Sequence, residues 1–554
     1  MKKTKLLSLI LSAAVTAATL AGCGGTNQSS QPQSQNASLA GSAGNESEEN
    51  ANIPDYLNAT GFPIVNTPIT LTAMVSQNEA QPQWSEILVW QEYEKMSGIT
   101  IDWDCILSSS ISEKRGLALA SDQLPDMFYR SSMSETEMLK YGQQGYFLDL
   151  SQGMIDQYAP NFKSIIENFE DVRKGIPTAE GQIYAFPGLS NTWPVEVNPK
   201  LFLNQKWLKA VGKSSPTTTD EFYEVLKAFK GTDCNGNGKS DEIPLSSTSL
   251  ANILRILRGA WGLGTRGFGN ENFDIAPNGD FRFIPASNEY KEQLEYLNKL
   301  YTEGLLDQQI FTIDSKTLLA QNEAEQVGCF AFTNVGAVAS SNASDFAGLG
   351  TALKGPHGDQ LYAAVRGHIA TKTGMLITKE CQHPEAAVRW IDYFYGDEGA
   401  ELIYAGVEGQ TYTKDSNGRC TIVSEYTTIP EGSSFDKVFS VVSPWAGGGL
   451  PAISNERVFQ GAEIHEVAAK EAEAVKQYAP EELWAPFSFT LDESSQKADL
   501  ESDLNSYISQ KRAEFIQGKT PLSEFDNYVK EMKSMGLDDY IQLYKTAYER
   551  YQKN

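Results

Sequence analysis

The strongest constraint on the fold is the alternation of strand and helix patterns that begins after residue 53. PITLTAMVS alternates apolar and polar residues, and SEILVWQEYEKMSG follows with apolar residues at helical spacing and Ser85 as a candidate N-cap. ITIDWDCI predicts a second strand, and SEKRGLALASDQLPDMFY predicts a helix, a turn and a third strand. Elements in this order form right-handed parallel α/β units. Because a chain of 554 residues is too long to fold around one hydrophobic core, we expect at least two lobes.

The pattern changes near residue 190, where NPKLFLNQKWLKAVG predicts a strand that runs into a helix. GMLITKECQHPEAAVRW later returns to a strand followed by a helix, so the chain crosses between the lobes more than once. We expect an N-terminal lobe from residues 53–185 and 335–400, and a C-terminal lobe from residues 186–334 and 401–554. Ligands of such folds bind in the cleft at the strand ends.

Composition narrows the class of protein. The chain has 41% hydrophobic and 21% charged residues, as globular proteins do, and its formal net charge is −26. A chain this acidic is a poor partner for nucleic acid or for an anionic lipid surface. Its four histidines show no HExxH spacing, which argues against a zinc hydrolase. Beyond Cys23 we expect mostly free thiols, because no CxxC pair occurs among Cys105, Cys234, Cys329, Cys381 and Cys420.

The N-terminal segment has the pattern of a secretory leader with a lipid-attachment site. MKKTK is a basic region, LLSLILSAAVTAATL is apolar, and Leu20-Ala21-Gly22-Cys23 resembles a bacterial lipobox. We therefore expect a signal peptide over residues 1–22 and diacylation of Cys23, with palmitate-type chains that hold the protein on the membrane. Residues 23–52 are rich in Gly, Ser, Asn and Gln, which predicts a disordered tether. The expected location is the extracellular face of a Gram-positive type of cell membrane.

The stretch TDCNGNGKSDEIP predicts a calcium loop. Compared with an EF-hand, it places oxygen-bearing side chains at positions 1, 3 and 5, a glycine at position 6 and an acidic residue at position 9. Position 12 holds Pro244 instead of the bidentate Glu, so the loop is shortened and needs other closing oxygens. A turn rich in Asn and Gly without a metal is the alternative. An oxygen-only ligand set suits Ca²⁺ in a structural role. The predicted metal ligands are Asp233, Asn235, Asn237, Lys239 through its carbonyl, Asp241 and Glu242.

Several segments in a fixed order resemble a known family. They are LNQKWLKAVG, PTTTDEFYEVLKAFKGTDCNGNGKSDEIPL, ITKECQHPEAAVRWIDYFYGDEG and AEFIQGKTPLSEFDNYVKEMKSMGLDDYIQLYKTAYERY. Together they resemble extracellular solute-binding protein family 1, and within it the large calcium-containing lipoproteins of oligosaccharide ABC importers.

The resemblance implies a fold and a function. The fold is α/β, two-lobed and periplasmic-binding-protein-like, of the class II type, with a hinge and a helical C-terminal region. The function is capture of a carbohydrate, in particular an oligosaccharide, by lobe closure and its delivery to the permease subunits of an ABC transporter. The family members bind the solute without breaking a bond, and we expect a monomer.

Tryptophans in loops are candidate platforms for a sugar ring, because sugar C–H faces pack on flat aromatic rings. SNTWPVE, GAWGLG and SPWAGGG place three tryptophans among flexible residues, whereas Trp207 and Trp390 lie in amphipathic helices and are expected in the core. The predicted ligand-binding residues are Trp84, Trp193, Trp261, Trp445, Arg366, Glu408 and Tyr412.

An enzyme is the alternative hypothesis. A glycosidase needs two carboxylates at a suitable distance, and 71 acidic residues offer many candidate pairs. However, the sequence has no GxSxG, P-loop or HExxH motif. We therefore predict a binding protein and not an enzyme. The identity and length of the solute are not encoded in any of these patterns.

Overall fold

The structure is a computed structural model that describes residues 53–339, 341–430, 433–445 and 447–554. The expected signal peptide, Cys23 and the tether lie outside the described residues. Within the described ranges, no helix has the length and apolar character needed to cross a bilayer.

Strands and helices alternate through the first part of the chain, and helices dominate its end. The strands are β1 (Ile69–Gln77), β2 (Ile99–Leu107), β3 (Met127–Tyr129), β4 (Phe186–Asn191), β5 (Lys200–Asn204), β6 (Ser246–Ser247), β7 (Thr265–Phe268), β8 (Phe273–Ile275), β9 (Phe281–Phe283), β10 (Cys329–Phe332), β11 (Phe346–Gly348), β12 (Ile369–Ile377), β13 (Tyr412–Lys414), β14 (Cys420–Ile422) and β15 (Ile453–Asn455). The helices are α1 (Leu88–Ser97), α2 (Ile111–Ser121), α3 (Glu135–Gln143), α4 (Met154–Tyr158), α5 (Pro160–Asn168), α6 (Glu170–Gly175), α7 (Trp193–Glu196), α8 (Gln205–Ala210), α9 (Thr219–Lys230), α10 (Leu250–Arg258), α11 (Asn288–Thr302), α12 (Ser315–Glu323), α13 (Pro384–Asp392), α14 (Asp397–Ala405), α15 (Ser424–Thr427), α16 (Phe435–Phe439), α17 (Glu466–Val475), α18 (Leu491–Ile516), α19 (Phe525–Ser534) and α20 (Leu537–Tyr551).

The larger sheet has six strands in the order β15-β4-β12-β3-β1-β2. Strand β1 pairs in parallel with β2 and β3, and β4 pairs in parallel with β15. Strand β12 runs antiparallel to both β3 and β4, so the other strands of this sheet share one direction. Their carboxyl ends therefore meet at one edge, where α/β folds bind their ligands.

The smaller sheet has the order β11-β5-β10-β6. Strand β5 runs antiparallel to β10 and β11, and β10 runs parallel to β6. Helix α17 packs against β5 and β11 of this sheet, and the C-terminal helix α18 packs against α11. Each sheet is the centre of one lobe, and the described chain passes between them from β4 to β5, from β11 to β12 and from β15 to α17.

Three strands lie in a different sheet from the one that the expected lobe boundaries imply. Strands β4 and β15 belong to the larger sheet, although residues 186–334 and 401–554 were expected in the second lobe. Strand β11 belongs to the smaller sheet, although residues 335–400 were expected in the first. The physical reason is that pairing partners far apart in sequence decide sheet membership, as when β15 adds to the edge beside β4.

Local sequence signals explain where helices begin and end. Thr218 caps α9, because its hydroxyl accepts a hydrogen bond from the backbone N–H of Glu221 at 3.1 Å. Gly98 ends α1 with φ at 75°, a conformation that favours glycine. The expected Ser85 cap is wrong: residues Trp84–Glu86 form a 3₁₀ turn, and α1 begins after Ile87 without a side-chain cap.

The core of the first lobe is a cluster of aromatic rings. Trp84 stacks on Trp90 with 5.8 Å between ring centroids, and both rings contact Trp103 and Tyr129. Trp390 stacks on Trp90 and, as expected, is buried. Aromatic pairs of this kind add roughly 0.5–1.5 kcal/mol each beyond the area that they bury. They hold the helices against the sheet whose edge forms the candidate site.

The cysteines of the described chain are unpaired. The expectation of mostly free thiols is confirmed for Cys105, Cys234, Cys329, Cys381 and Cys420. Burial raises the pKa of the Cys234 thiol to about 11 and that of Cys381 to about 12, so these thiols stay protonated at neutral pH.

Candidate functional site

A cavity of about 380 Å³ opens at the carboxyl edge of the larger sheet. We call it the strand-edge cavity. The ends of β1, β2 and β3 supply one side, the amino-terminal half of β12 supplies the floor, and the loop before β15 supplies the other side. Its lining residues are Ser76, Asn78, Ser108, Arg130, Ser132, Ala370, Thr371, Thr373, Gly374, Trp445 and Gly449.

Neutral hydrogen-bonding groups line one wall of the strand-edge cavity. The hydroxyl oxygens of Ser76 and Ser108 lie 2.9 Å apart, within hydrogen-bond distance. The Ser108 hydroxyl is also 3.1 Å from the side-chain oxygen of Asn78 and 3.1 Å from the carbonyl oxygen of Gln77. Such groups offer both donors and acceptors to a hydroxyl-rich solute.

Arg130 projects from the end of β3. Its backbone N–H donates to the carbonyl of Gly374 at 2.7 Å, and its φ of 44° turns the chain sharply after the strand. The guanidinium carbon lies 4.4 Å from the centroid of the Trp445 ring, which is cation–π geometry. Burial lowers the pKa of Arg130, although this does not remove its charge at neutral pH.

Trp445 is held at the mouth of the strand-edge cavity by its loop. The side-chain amide of Gln81 donates to the carbonyl of Pro444, which ties this loop to the segment after β1. The Ser443 hydroxyl donates to the carbonyl of Ile403 at 2.6 Å. The indole remains 37% exposed, which is unusual for a tryptophan in this protein. The loop thus presents an aromatic surface that is fixed at its base and open to solvent.

A second cavity of about 450 Å³ lies between the two lobes. Helix α3 and Lys372 of β12 line one side, and residues 486–489, α18 and Tyr544 line the other. Lys372 already pairs with Glu135 at 3.2 Å and donates to the Ser488 hydroxyl at 3.2 Å. Glu271 is likewise engaged by Arg255 and Arg258. Since these charges are matched within the protein, the cavity is a weaker candidate for the solute than the strand-edge cavity.

Trp193 lines a shallow depression of about 550 Å³ at the ends of β4 and β15. Its indole N–H donates to the carbonyl of Ala472 at 2.7 Å, and the ammonium of Lys476 lies 5.7 Å from its ring centroid. These contacts tie the first crossing segment to α17. Its predicted ligand contact stays a prediction.

Burial contradicts two of the predicted ligand-binding tryptophans. Trp84 is 0% exposed because it belongs to the aromatic core of the first lobe, and Trp261 is 3% exposed because it packs on Tyr296. Neither ring can reach a solute in the cleft. The error has one cause: flexible residues around a tryptophan indicate a loop, but a loop residue can still point inward.

The predicted polar residues lie away from the strand-edge cavity. Tyr412 is buried, and its hydroxyl donates to Glu401 at 3.2 Å. Glu408 is exposed and pairs with Lys414 at 3.3 Å. Arg366 lies in the segment between β11 and β12, where its backbone N–H donates to the carbonyl of Glu196 at 3.1 Å. None of the three lines the strand-edge cavity, and their predicted contact with the solute stays a prediction.

The predicted calcium loop folds inward around its oxygen-bearing side chains. The carboxylate of Asp233 accepts from the backbone N–H groups of Asn237 at 3.1 Å and Gly238 at 2.9 Å. The side-chain oxygen of Asn235 also accepts from the Asn237 N–H at 3.1 Å. Gly238 has φ at 75°, which lets the chain turn at the position where an EF-hand has its glycine.

Two acidic residues close the loop from its far side. Asp241 accepts from the side-chain amides of Gln326 at 3.0 Å and Asn237 at 3.1 Å, and these bonds lower its pKa. Glu242 is buried and accepts from the backbone N–H of Cys234 at 3.1 Å. Among the described residues, no three His, Cys, Asp or Glu side chains form a metal-binding group. Amide and carbonyl oxygens complete the predicted donor set, and a hard cation accepts such oxygens.

Sequence reasoning missed the residues at the strand ends. Arg130, Ser132 and Ser108 each follow a predicted strand within three residues, whereas Thr373 lies in β12, one residue before the segment from which that strand was predicted. A signal was present, because polar residues directly after parallel strands collect at the ligand-binding edge. The local sequence does not show that β12 lies next to β3 in the sheet. The polar residues at the strand ends therefore could not be grouped into one site from the sequence.

With this geometry established, comparison with known proteins identifies the family. The model of the bacterial extracellular solute-binding protein family matches residues 76–401. This chain belongs to that family. The match runs from the last two residues of β1 to beyond β12, and so it includes the strand ends that build the strand-edge cavity.

Two curated proteins are similar to this chain, one over nearly its whole length and the other over less than half of it. FusA of Streptococcus pneumoniae, a fructooligosaccharide ABC transporter substrate-binding protein, is 28% identical over 541 residues, covering 94% of this chain and 97% of FusA. Lipoprotein LipO of Bacillus subtilis is 31% identical over 230 residues, covering 40% of this chain and 42% of LipO.

Solved structures of FusA share the two-lobed fold. FusA in complex with kestose matches with a TM-score of 0.68 at 26% identity, covering 88% of this chain and 100% of that chain. A FusA EF-hand mutant in complex with fructo-nystose matches with a TM-score of 0.67 at 26% identity, again covering 88% and 100%. The expected two-lobed α/β fold and the expected family are thereby confirmed.

Proposed function

We propose that this protein captures an oligosaccharide in the strand-edge cavity and delivers it to the permease of an ABC importer. The observation that carries the proposal is the combination of an exposed aromatic ring, Trp445, with a wall of neutral hydroxyl groups at the ligand-binding edge of the sheet. FusA, which is similar along nearly the whole chain, is a fructooligosaccharide-binding component of such a transporter. The second lobe would close over the cavity by a hinge motion through the three crossing segments.

Isothermal titration calorimetry with a panel of neutral and acidic oligosaccharides tests the proposal. Trp445→Ala should weaken binding of the best ligand by roughly 2–10-fold, because a stacked aromatic contact contributes about 0.5–1.5 kcal/mol. Leu117→Ala, which removes an exposed apolar side chain outside the cavities, should leave the affinity unchanged. Equal affinity of the wild type and the Trp445→Ala variant would place the solute elsewhere.

The same samples test whether the protein is an enzyme. Family members bind their solutes, and we infer that this protein releases its oligosaccharide intact. Chromatography of the ligand after prolonged incubation with the protein should show only the starting oligosaccharide. Accumulation of shorter products would favour the glycosidase alternative instead.

We also propose that residues 233–242 hold a structural Ca²⁺. The inward-facing oxygens of Asp233, Asn235, Asn237, Asp241 and Glu242 and the glycine turn support it. FusA, which is similar to this chain, has an EF-hand, because one of its solved structures is that of an EF-hand mutant. When bound, the ion would neutralise the acidic side chains and hold the loop after α9 in place, with the Lys239 carbonyl as a further ligand.

We propose, further, that Cys23 is lipidated and anchors the protein to the extracellular face of the cell membrane. The lipobox pattern and the tether composition support this location, and LipO, a similar protein, is a lipoprotein. Two acyl chains give stable membrane attachment, whereas one chain gives reversible binding. The tether would leave the solute-binding unit free to meet a permease in the same membrane.

A further inference from the structure

Arg130 is the charged side chain of the strand-edge cavity. The other described lining residues are serines and threonines, one asparagine, Trp445, one alanine and two glycines. None of these described residues is Asp or Glu. This composition departs from that of the whole chain, whose formal net charge is −26. The cavity is thus a local positive site in an acidic protein.

The charge of Arg130 has no counterion within the described part of the chain. Its guanidinium makes no ion pair and no side-chain hydrogen bond there, and its contact is the face of Trp445. The titratable groups that act on it are the phenols of Tyr129 and Tyr404. Both phenols are buried, and burial raises their pKa values well above 10, so they are neutral at physiological pH.

A partly buried arginine without a counterion costs free energy, and a ligand that supplies the countercharge recovers that cost. The guanidinium fork matches the geometry of a carboxylate, and hydrogen bonds between charged partners are roughly twice as strong as neutral ones. A sugar hydroxyl would satisfy the donors of Arg130 but leave its charge uncompensated. The arrangement therefore discriminates in favour of an acidic solute.

We propose that the solute of this protein is an acidic oligosaccharide with carboxylate-bearing units such as uronic acids, and that Arg130 binds one of these carboxylates. The inference rests on the proposed function, namely capture of an oligosaccharide in the strand-edge cavity. The exposed part of Trp445 then contacts the sugar ring, and the hydroxyl groups of Ser76 and Ser108 bind its neutral oxygens.

Matched pairs of trisaccharides that differ only in the oxidation of the C6 carbon test this proposal by calorimetry. The pairs are trimers of galactose and galacturonate, of glucose and glucuronate, and of mannose and mannuronate. In at least one pair, the acidic trimer should bind at least 10-fold more tightly than the neutral one at low salt. Its affinity should fall as NaCl is raised, because salt screens the ion pair.

Variants of Arg130 separate this contact from general electrostatics. Arg130→Gln should weaken the acidic trimer about 100-fold, equivalent to about 2.7 kcal/mol, while Arg130→Lys should retain part of the affinity. Lys213→Gln, which removes one exposed positive charge elsewhere, should change neither affinity. The melting curve of Arg130→Gln shows whether this variant folds. If it does not, the Arg130→Lys variant and the salt dependence of the wild type still decide whether Arg130 binds a carboxylate of the solute.

Two results would overturn the inference, and they are distinguishable. Tighter binding of the neutral trimers, with an affinity insensitive to salt and to Arg130→Lys, would refute the acidic solute and leave the proposed function standing. Binding of no oligosaccharide, neutral or acidic, would refute the proposed function together with the inference.

Discussion

At the scale of single residues, buried charges hold the segments that join the two lobes. Lys200 is fully buried at the start of β5, and its ammonium donates to the carbonyls of Pro194 at 2.6 Å and Val197 at 2.8 Å. His368 lies just before β12, and its ring nitrogen is 2.8 Å from the carboxylate of Asp171. The Lys200 bonds tie the first crossing segment to β5, and the His368 contact ties the second crossing segment to α6.

The His368–Asp171 contact predicts a pH-dependent stability. Burial lowers the pKa of His368, but the hydrogen bond and the charge of Asp171 outweigh it, and the pKa is raised. The contact should therefore stabilise the fold fully below the unfolded pKa of about 6.5 and lose its effect as pH rises through the folded pKa. Compared with His368→Gln, the wild type should be more stable by roughly 1–2 kcal/mol at pH 5.5, with a smaller difference at pH 8.5.

Thermal melting of both proteins between pH 5.5 and 8.5 measures this difference. His465→Gln is the control, because the side chain of His465 is exposed, and it should leave the pH profile of stability unchanged. A difference between wild type and His368→Gln that stays constant over this range would contradict the role of the imidazolium.

At the scale of elements, short loops between regular elements supply the residues of the two proposed sites. The loop after α9 gathers oxygen atoms, and the loop before β15 presents Trp445. Helices and strands fix the ends of both loops, as Thr218 does by capping α9 and Gln81 by bonding to Pro444. Both proposed sites thus lie on loops whose bases are held by packed elements.

The calcium loop predicts a stability that depends on the metal. Chelator should lower the melting temperature of the wild type, because an ion at 100 times its Kd stabilises the folded state by about 2.7 kcal/mol. Asp233→Ala should melt at a lower temperature and no longer respond to chelator or to added Ca²⁺. Differential scanning fluorimetry with and without chelator provides the measurement.

Asp415→Ala is the matched control for this prediction. Asp415 accepts backbone hydrogen bonds from Asn417 at 2.8 Å and Arg419 at 2.9 Å in another turn that contains Asn and Gly. Its removal should lower stability through those bonds and leave the chelator effect intact. An identical melting temperature of the wild type with and without chelator would refute the calcium site.

At the scale of the whole molecule, the residues from Ile53 to Asn554 form one compact unit, and the proposed anchor precedes it. The two sheets are joined by three crossing segments, which is the arrangement that a hinge requires. Solute binding and membrane attachment should therefore be separable properties. A fragment of residues 53–554 should bind its solute as the full chain does.

Cys23→Ala should release the protein from the membrane. In a Gram-positive host, the wild type should fractionate with membranes and dissolve only in detergent, whereas the variant should appear in the medium, because it lacks the acyl chains. Cys105→Ala, in the described chain, should remain with the membranes. Immunoblots of the two fractions give the answer, and membrane retention of the Cys23→Ala variant would argue against lipidation.

Much of the fold could be predicted because its signals are local. Alternating apolar and polar residues predicted β1, apolar residues at helical spacing predicted α1, and the segment ITIDWDCI predicted β2. Ordered segments along the chain indicated the family, and the comparison with its model confirmed it. These features depend on residues close in sequence, so no knowledge of distant contacts was needed.

The candidate site was only partly predictable, because it depends on contacts between distant residues. Strand pairing placed β12 beside β3 and so brought Arg130, Thr373 and Trp445 to one cavity. Packing turned Trp84 and Trp261 inward and left Trp445 outside, although all three had been predicted to contact the solute.

The sequence by itself thus determined the kinds of elements, the composition of the oxygen-rich loop and the family. The tertiary structure alone decided which strands share a sheet and which side chains face the cavity. The physical reason is that backbone conformation follows from neighbouring residues, whereas burial follows from what the rest of the chain packs against each side chain.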